Sequence, residues 1–421
     1  MNWKEFWRDR EKPKLSAYLD IFKSLGPGLI VAVGFVDPGN WASNIAAGST
    51  YGYQLLWVVT ISTIMLIILQ HNAAHLGIVS GKCLSEAATA YMNRPLKNFI
   101  LTTAMLAAVS TALAELLGGA IALQMLFGVP LRIGAFLMLV LSLYLQFSHS
   151  YQRVEKIIVL FVSLIGVAFM AEIFLVPVDW AAARSGWVTP ILPAGAMTVV
   201  MSVLGSVIMP HNLFLHSEVI QSQQFHLSGP VTIEKKLRTE YIDTIFSMGV
   251  GWAINSAIIF IAATAFFSSG IIVDDLAQAG NLLAPILGPL SADIFGVALL
   301  FAGIAASLTS SMAGGCIFAG MVGEPYDSAD RHTKIGSLLT MIPAFLLILF
   351  IESPFEGLIW SQTFLSIQLP FTIFTQLYLT SSKRVMGRYA NRPMTKVILW
   401  GIGLLVTFFN LLLLQDLFTA L

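Results

Sequence analysis

Charge is what this chain has least of. Charged side chains make up 11% of its 421 residues, against about 25% in an ordinary soluble domain, which excludes a water-solvated globule. Lysine plus arginine and aspartate plus glutamate stand at 23 each, so no whole-chain field favours nucleic acid. Cysteine occurs twice, as Cys83 and Cys316; they lie far apart in sequence and give neither a disulfide framework nor a zinc-finger spacing. There is no nucleophile elbow, HExxH pair or phosphate loop, so a membrane-embedded enzyme has only buried acids and histidines in its favour. No linker or low-complexity stretch marks a second domain, and the charged N-terminal MNWKEFWRDREKPK has no cleavable signal pattern.

What is abundant is apolar sequence: 57% of residues are hydrophobic and the mean hydropathy is +0.80. Runs of roughly 20 residues mark membrane-spanning helices. Eleven are expected, at about 25–49, 53–79, 98–127, 132–148, 155–177, 194–222, 241–268, 290–322, 335–351, 356–381 and 395–417. Basic residues concentrate in cytoplasmic segments. With the N-terminus inside, every lysine and arginine except Arg132 and Arg184 falls on the cytoplasmic side, and a miscounted span would spoil that split. The expectation is an all-α polytopic membrane protein of the cell membrane, with residues 1–24 a cytoplasmic tail, 25–421 one transmembrane domain, and the C-terminus extracytoplasmic.

Two stretches organise it: Asp37-Pro38-Gly39-Asn40 in the first span and Met209-Pro210-His211-Asn212 in the sixth. A proline inside a helix removes one hydrogen bond and frees carbonyls in the preceding turn. In a bilayer such a break survives only where protein, water or ligand satisfies it. Five spans separate the two motifs, so the helices enter from opposite faces. That arithmetic describes an inverted five-plus-five repeat, about 25–177 and 194–381, with the helix at 395–417 appended.

The groups at the breaks suit a cation. A carboxylate at bilayer depth marks a site by default, although Asp37 also reads as a helix cap. Asn40 offers an amide oxygen on the same turn, and Ser206 a carbonyl one turn before the second break. Met209 supplies a thioether, a soft ligand that favours transition metals over magnesium or calcium. Gln362 in the tenth span can swing an amide oxygen inward or make a plain interhelical bond. Glu115, His211 and His216 are open between proton relay or outer support and ordinary hydrogen bonding. His71 and His75, four residues apart, read as structural.

At these residues the chain resembles the Nramp family of divalent-metal transporters. Asp-Pro-Gly-Asn and Met-Pro-His-Asn match its paired signature, with support from Gly26-Pro27-Gly28, from Asn212 through Ser217, and from Ser361-Gln362 through Phe371. The resemblance covers nearly the whole chain. It implies the amino-acid-transporter-like inverted-repeat fold and alternating access. It implies ligation of Mn²⁺, Fe²⁺ or a similar ion by Asp37, Asn40, Met209 and the carbonyl of Ser206, with Gln362 joining in some states. The ion is substrate; neither a resident cofactor nor an obligate protein partner is implied beyond the lipid bilayer.

The chain also departs from the family pattern. Ala112 stands where the third span commonly carries an acid, Gly336 and Ser337 where the ninth carries an arginine pair, Ser206 where an alanine is usual, and Gly303-Ile304 where Gly-Gln is usual. The first two places belong to the family's proton route. Their loss resembles the divergent Nramp-related branch whose substrates extend to Mg²⁺, an ion that prefers oxygen ligands and holds its waters. Met209 argues for Mn²⁺ and the missing charges for the broader branch. The expectation is therefore Mn²⁺ and also Mg²⁺ transport with weak or absent proton coupling. A proton-coupled Mn²⁺/Fe²⁺ symporter is the alternative, and a sodium-coupled amino-acid transporter the alternative of another class.

Overall fold

The computed structural model describes residues 37–148, 177–227, 229–282 and 291–420. The expected tail, the first span before Asp37, and the fifth span up to residue 176 lie outside the described residues. Among the described residues there are helices and no strands. In chain order these are α1 (Pro38–Tyr51), α2 (Leu56–Ser80), α3 (Leu84–Tyr91), α4 (Arg94–Phe127), α5 (Leu131–Phe147), α6 (Trp180–Val188), α7 (Met197–Ile208), α8 (Pro210–Gln221), α9 (Pro230–Ala265), α10 (Leu276–Leu282), α11 (Ser291–Val322), α12 (Arg331–Ile348), α13 (Pro354–Ser381), α14 (Lys383–Met386) and α15 (Pro393–Ala420).

The ends of these helices follow from local chemistry. Asn93 caps α4 by accepting the Leu96 amide at 3.0 Å, and Gly128 closes it in a left-handed conformation at φ 66°. Glycine takes that conformation without a Cβ penalty. Asp330 caps α12 by accepting the amides of His332 and Thr333. Those amide donors hold its carboxyl below the usual range. Proline opens α1, α8, α9 and α13, where its missing N–H costs nothing. Helix α9 begins at Pro230, well before the apolar run expected from 241. Its first turns, Val231 to Glu240, are polar but rich in good helix formers.

Among the described residues, six helical segments are long and apolar enough to cross a membrane: Leu56–Ser80, Arg94–Phe127, Met197–Gln221, Pro230–Ser269, Ala292–Val322 and Pro393–Thr419. Large apolar side chains stand exposed on the outer faces, among them Phe99, Phe136, Leu346, Trp400, Leu404 and Phe408. In water such a surface would aggregate; against lipid it is the expected exterior.

Small residues let the helices of the interior approach closely, as expected where lipid gives helices no hydrophobic reason to associate. Helix α4 packs against α11, α13, α5, α12 and α1. A Cβ at Gly118 would lie 2.1 Å from the Pro38 ring, and one at Gly303 of α11 would lie 2.9 Å from the Gly119 backbone. A Cβ at Gly205 of α7 would fall 2.0 Å from the Gln362 carbonyl oxygen of α13. Short polar bonds join α1 to α7 and to α9: Ser43 to Ser202 at 2.6 Å and Asn44 to Asn255 at 2.9 Å.

The α7–α13 contact has no slack, so Gly205→Ala should destabilise the protein by about 1–3 kcal/mol. Gly249→Ala on α9, where a Cβ meets nothing within 4 Å, should leave stability unchanged or slightly raised. Thermal unfolding of the two variants in detergent, followed by size exclusion, checks the contrast.

Candidate functional site

The site grows from the start of α1. Asp37 has extended backbone (φ −104°, ψ 161°) and caps the helix, its Oδ1 accepting the Asn40 amide N–H at 2.8 Å. Its Oδ2 accepts the Asn40 side-chain Nδ2 at 2.6 Å. Both residues are fully buried. The capping role and the site role thus coexist in one carboxylate.

Asn40 reaches across the fold as well. Its Nδ2 also donates to the Ser206 carbonyl of α7 at 3.1 Å, a carbonyl in the last turn before α7 stops. One N–H₂ group therefore bridges a carboxylate oxygen of the first motif and a carbonyl oxygen beside the second. Because Nδ2 is engaged by two acceptors, Asn40 Oδ1 is left buried with no hydrogen-bond partner among the described residues.

Gln362 lies against the same turn. A Cβ at Gly39 would sit 2.1 Å from its Nε2, so the side chain rests where Gly39 has none. Its Nε2 donates to the neighbouring Ser361 hydroxyl at 3.4 Å, while its Oε1 is buried and without a partner among the described residues. Burying an amide oxygen unpaired costs about 1–3 kcal/mol. Two such oxygens beside a carboxylate and a carbonyl form a set of hard donors with room for positive charge.

Met209 separates α7 from α8. Its backbone is left-handed (φ 38°, ψ 88°), a conformation that costs a non-glycine residue on the order of 1–3 kcal/mol. The side chain is buried between Ala107 and Leu365, and its sulfur accepts the Asn212 amide at 3.1 Å. Asp37, Asn40, the Ser206 carbonyl and Gln362 are thus brought together by direct contacts, whereas the contacts that fix Met209 run toward α4, α13 and Asn212.

The remaining candidates divide. Glu115 is buried on α4, one turn before the Gly118 that Pro38 packs on, and its Oε2 has no partner among the described residues. His211 pairs through Nδ1 with Thr111 of α4 at 3.2 Å. His216 faces Glu240 of α9, Nε2 to Oε1 at 3.5 Å, and the other Glu240 oxygen meets His71 Nδ1 at 2.5 Å. Thr244 donates to Glu240 at 2.6 Å. His71 is therefore one arm of a His–Glu–His bridge between α2, α9 and α8, and His75 stacks on it at 6.5 Å. Glu240 escapes a reading of the sequence because it lies among the polar first turns of α9. Nothing in linear spacing brings it to residues 71 and 216.

At the positions where the resemblance led to an expectation of charge, the described side chains are neutral. Ala112 is fully buried. Ser337 Oγ receives the Gln146 amide at 2.7 Å and itself donates to the Ser311 carbonyl at 3.0 Å, and Ser311 in turn donates to the Gln146 side-chain oxygen. Gly336 lies against the Gly314 carbonyl, 2.7 Å from where its Cβ would be.

These features define a helical integral membrane protein in whose interior buried oxygen groups of Asp37, Asn40, Ser206 and Gln362 converge. The family model described as natural resistance-associated macrophage protein-like (Nramp) matches residues 28–416. The divalent metal cation transporter MntH of Caldanaerobacter subterraneus subsp. tengcongensis is 36% identical over 395 residues, covering 93% of this chain and 91% of the relative. That of Listeria innocua is 35% identical over 411 residues, covering 95% and 91%. A solved structure of the Eremococcus coleocola manganese transporter superposes with a TM-score of 0.80 at 26% identity, covering 95% of this chain and 87% of that one. Mhp1, a nucleobase-cation-symport-1 family transporter, shares the fold at a TM-score of 0.62 and 14% identity, covering 88% and 81%. The chain belongs to the Nramp family. Reading it as a transporter rather than an enzyme accords with the names of these relatives.

If Asn40 holds the two motifs together, Asn40→Ala leaves Asp37 Oδ2 and the Ser206 carbonyl unpaired. The ion-free protein should lose about 1–3 kcal/mol, read as a lower unfolding temperature. An unchanged unfolding temperature would show that the bridge does not join the two elements in solution.

Proposed function

We propose that this chain is a secondary transporter of divalent metal cations, carrying Mn²⁺ and also Mg²⁺, by alternating access and with weak or absent proton coupling. The proposal includes eleven spans in an inverted five-plus-five repeat with broken first and sixth helices, in one domain of the cell membrane. The N-terminus lies in the cytoplasm and the C-terminus outside.

The observation that carries the reading is the Asn40 amide lodged between Asp37 Oδ2 and the Ser206 carbonyl. A polarised N–H₂ group stands there where a cation would sit. Turning the Asn40 carboxamide over would present Oδ1 in its place, so that carboxylate, carbonyl and amide oxygens face one ion. Gln362 Oε1 is already free to join them. Met209 would complete the set by leaving Asn212, and its sulfur would favour Mn²⁺ over Mg²⁺. Mg²⁺ would use the oxygens alone, keeping part of its water.

The case for weak proton coupling rests on Ala112 and on the neutral Gln146–Ser337–Ser311 network, which offer no titrating group along that route. Glu115 and the His71–Glu240–His216 bridge favour the second reading, a proton-coupled Mn²⁺/Fe²⁺ symporter. A sodium-coupled amino-acid transporter fits poorly, because an anionic Asp37 would face the substrate's carboxylate.

Uptake into proteoliposomes tests all three. Asp37→Ala should abolish Mn²⁺ uptake while the protein stays monodisperse; full uptake would refute the site. Met209→Ala should reduce Mn²⁺ and Cd²⁺ uptake far more than Mg²⁺ uptake. Internal pH should stay level while Mn²⁺ enters, and metal-dependent acidification would favour the symporter.

A further inference from the structure

The chain's two cysteines, so distant in sequence, meet in the fold. Cys83 precedes α3, Cys316 lies on α11, and between them stands Glu218 of α8. One ligand atom from each lies within 4.8 Å of the others, and all three residues are buried. Cys316 Sγ is 3.9 Å from Glu218 Oε2 and 3.9 Å from the Phe214 carbonyl, and Cys83 Sγ is 3.1 Å from the Ser85 hydroxyl. Both cysteines are free thiols.

The surroundings hold these groups in place. The Cys83 amide donates to Glu86 at 2.8 Å, the Leu84 amide to the Ser217 hydroxyl of α8 at 2.9 Å, and the Ser85 hydroxyl to the Cys316 carbonyl at 3.2 Å. A Cβ at Gly320 would lie 2.1 Å from the Ser85 hydroxyl, so α3 and α11 are in backbone-close contact beside the cluster. Three separate elements thus converge two sulfurs and a carboxylate on one point, at the end of the bundle where Lys82 lies.

We propose that Cys83, Cys316 and Glu218 form a second metal site, distinct from the Asp37 gap, for a soft divalent cation of the Zn²⁺ or Cd²⁺ class. Sulfur ligands stand about 2.3 Å from Zn²⁺ and carboxylate oxygens about 2.0–2.2 Å, so tetrahedral ligand atoms lie roughly 3.5–3.8 Å apart. The cluster needs only a small contraction to reach that. Thiolate ligands exclude Mg²⁺ and Ca²⁺. The Ser85 hydroxyl, the Phe214 carbonyl or a water completes the fourth position. On binding, each thiol releases its proton to solvent, and the ion ties α8 to α3 and α11.

The test uses the full-length, reduced protein in detergent with Asp37→Ala, which disables the other cation site. Titrated Co²⁺ should bind once per chain with a near-ultraviolet thiolate-to-cobalt band that Zn²⁺ displaces, and Zn²⁺ should protect both cysteines from alkylation. Cys83→Ser with Cys316→Ser should abolish the band. Glu218→Gln, which keeps both thiols and the side-chain volume, should weaken binding by at least the roughly tenfold that losing even an outer partner of a ligand costs. A missing band, a band that survives loss of both cysteines, alkylation that Zn²⁺ leaves unchanged, or a Glu218→Gln affinity equal to the parent's would each overturn the site.

Discussion

One amide group holds the start of α1 to the end of α7. Asn40 Nδ2 donates at once to the Asp37 carboxylate and to the Ser206 carbonyl, and the rest of the interior is arranged so that it can. Pro38 must press on Gly118, Gly39 must leave space for Gln362, and Gly205 must let α13 come close. Each of these glycines is a place where a side chain would push the polar groups apart. In lipid, where a stranded carbonyl has no water to turn to, that closeness keeps the break tolerable. It also leaves two oxygens, on Asn40 and Gln362, without partners among the described residues.

Much of this was legible in the sequence because the bilayer imposes simple rules. Among the described residues, long apolar runs fall where helices lie, and the proline of Met209-Pro210 marks the place where α7 ends and α8 begins. Asp37 stood out because a carboxylate has no ordinary reason to be in such a run. The contacts made sideways were not legible. Asn40 reaching Ser206, Gln362 lying over Gly39, and Glu240 standing between His71 and His216 all join residues that no spacing rule connects. Cys83 and Cys316 are the sharpest instance. Their separation along the chain suggested no association, yet the fold sets their sulfurs beside the same carboxylate. Helix periodicity specifies which face is apolar, but which polar residues of different helices meet depends on how those helices cross.

The positions at which the resemblance led to an expectation of charge are occupied by neutral groups. Ser337, Ser311 and Gln146 satisfy one another, and Gly336 lets α11 approach α12. A neutral network of this kind needs no counter-charge and stays satisfied at any pH at which the protein folds. Charged pairs in the same position would carry a desolvation penalty offset only by good geometry. The His71–Glu240–His216 bridge is where the described interior keeps an acid with basic neighbours, and it lies apart from that network.

The Asn40 bridge bears on the half of a carrier's cycle that moves nothing. A shuttle that has delivered its cargo must go back unladen, and a naked carboxylate in lipid would resist that journey. If Asp37 is the cargo's ligand, as proposed, its carboxylate is already paired with its own neighbour's amide, so the return leg would not wait for a replacement ion. On that reading the carrier would run down a gradient in either direction, with the rotation of a single side-chain amide separating its loaded and unloaded forms.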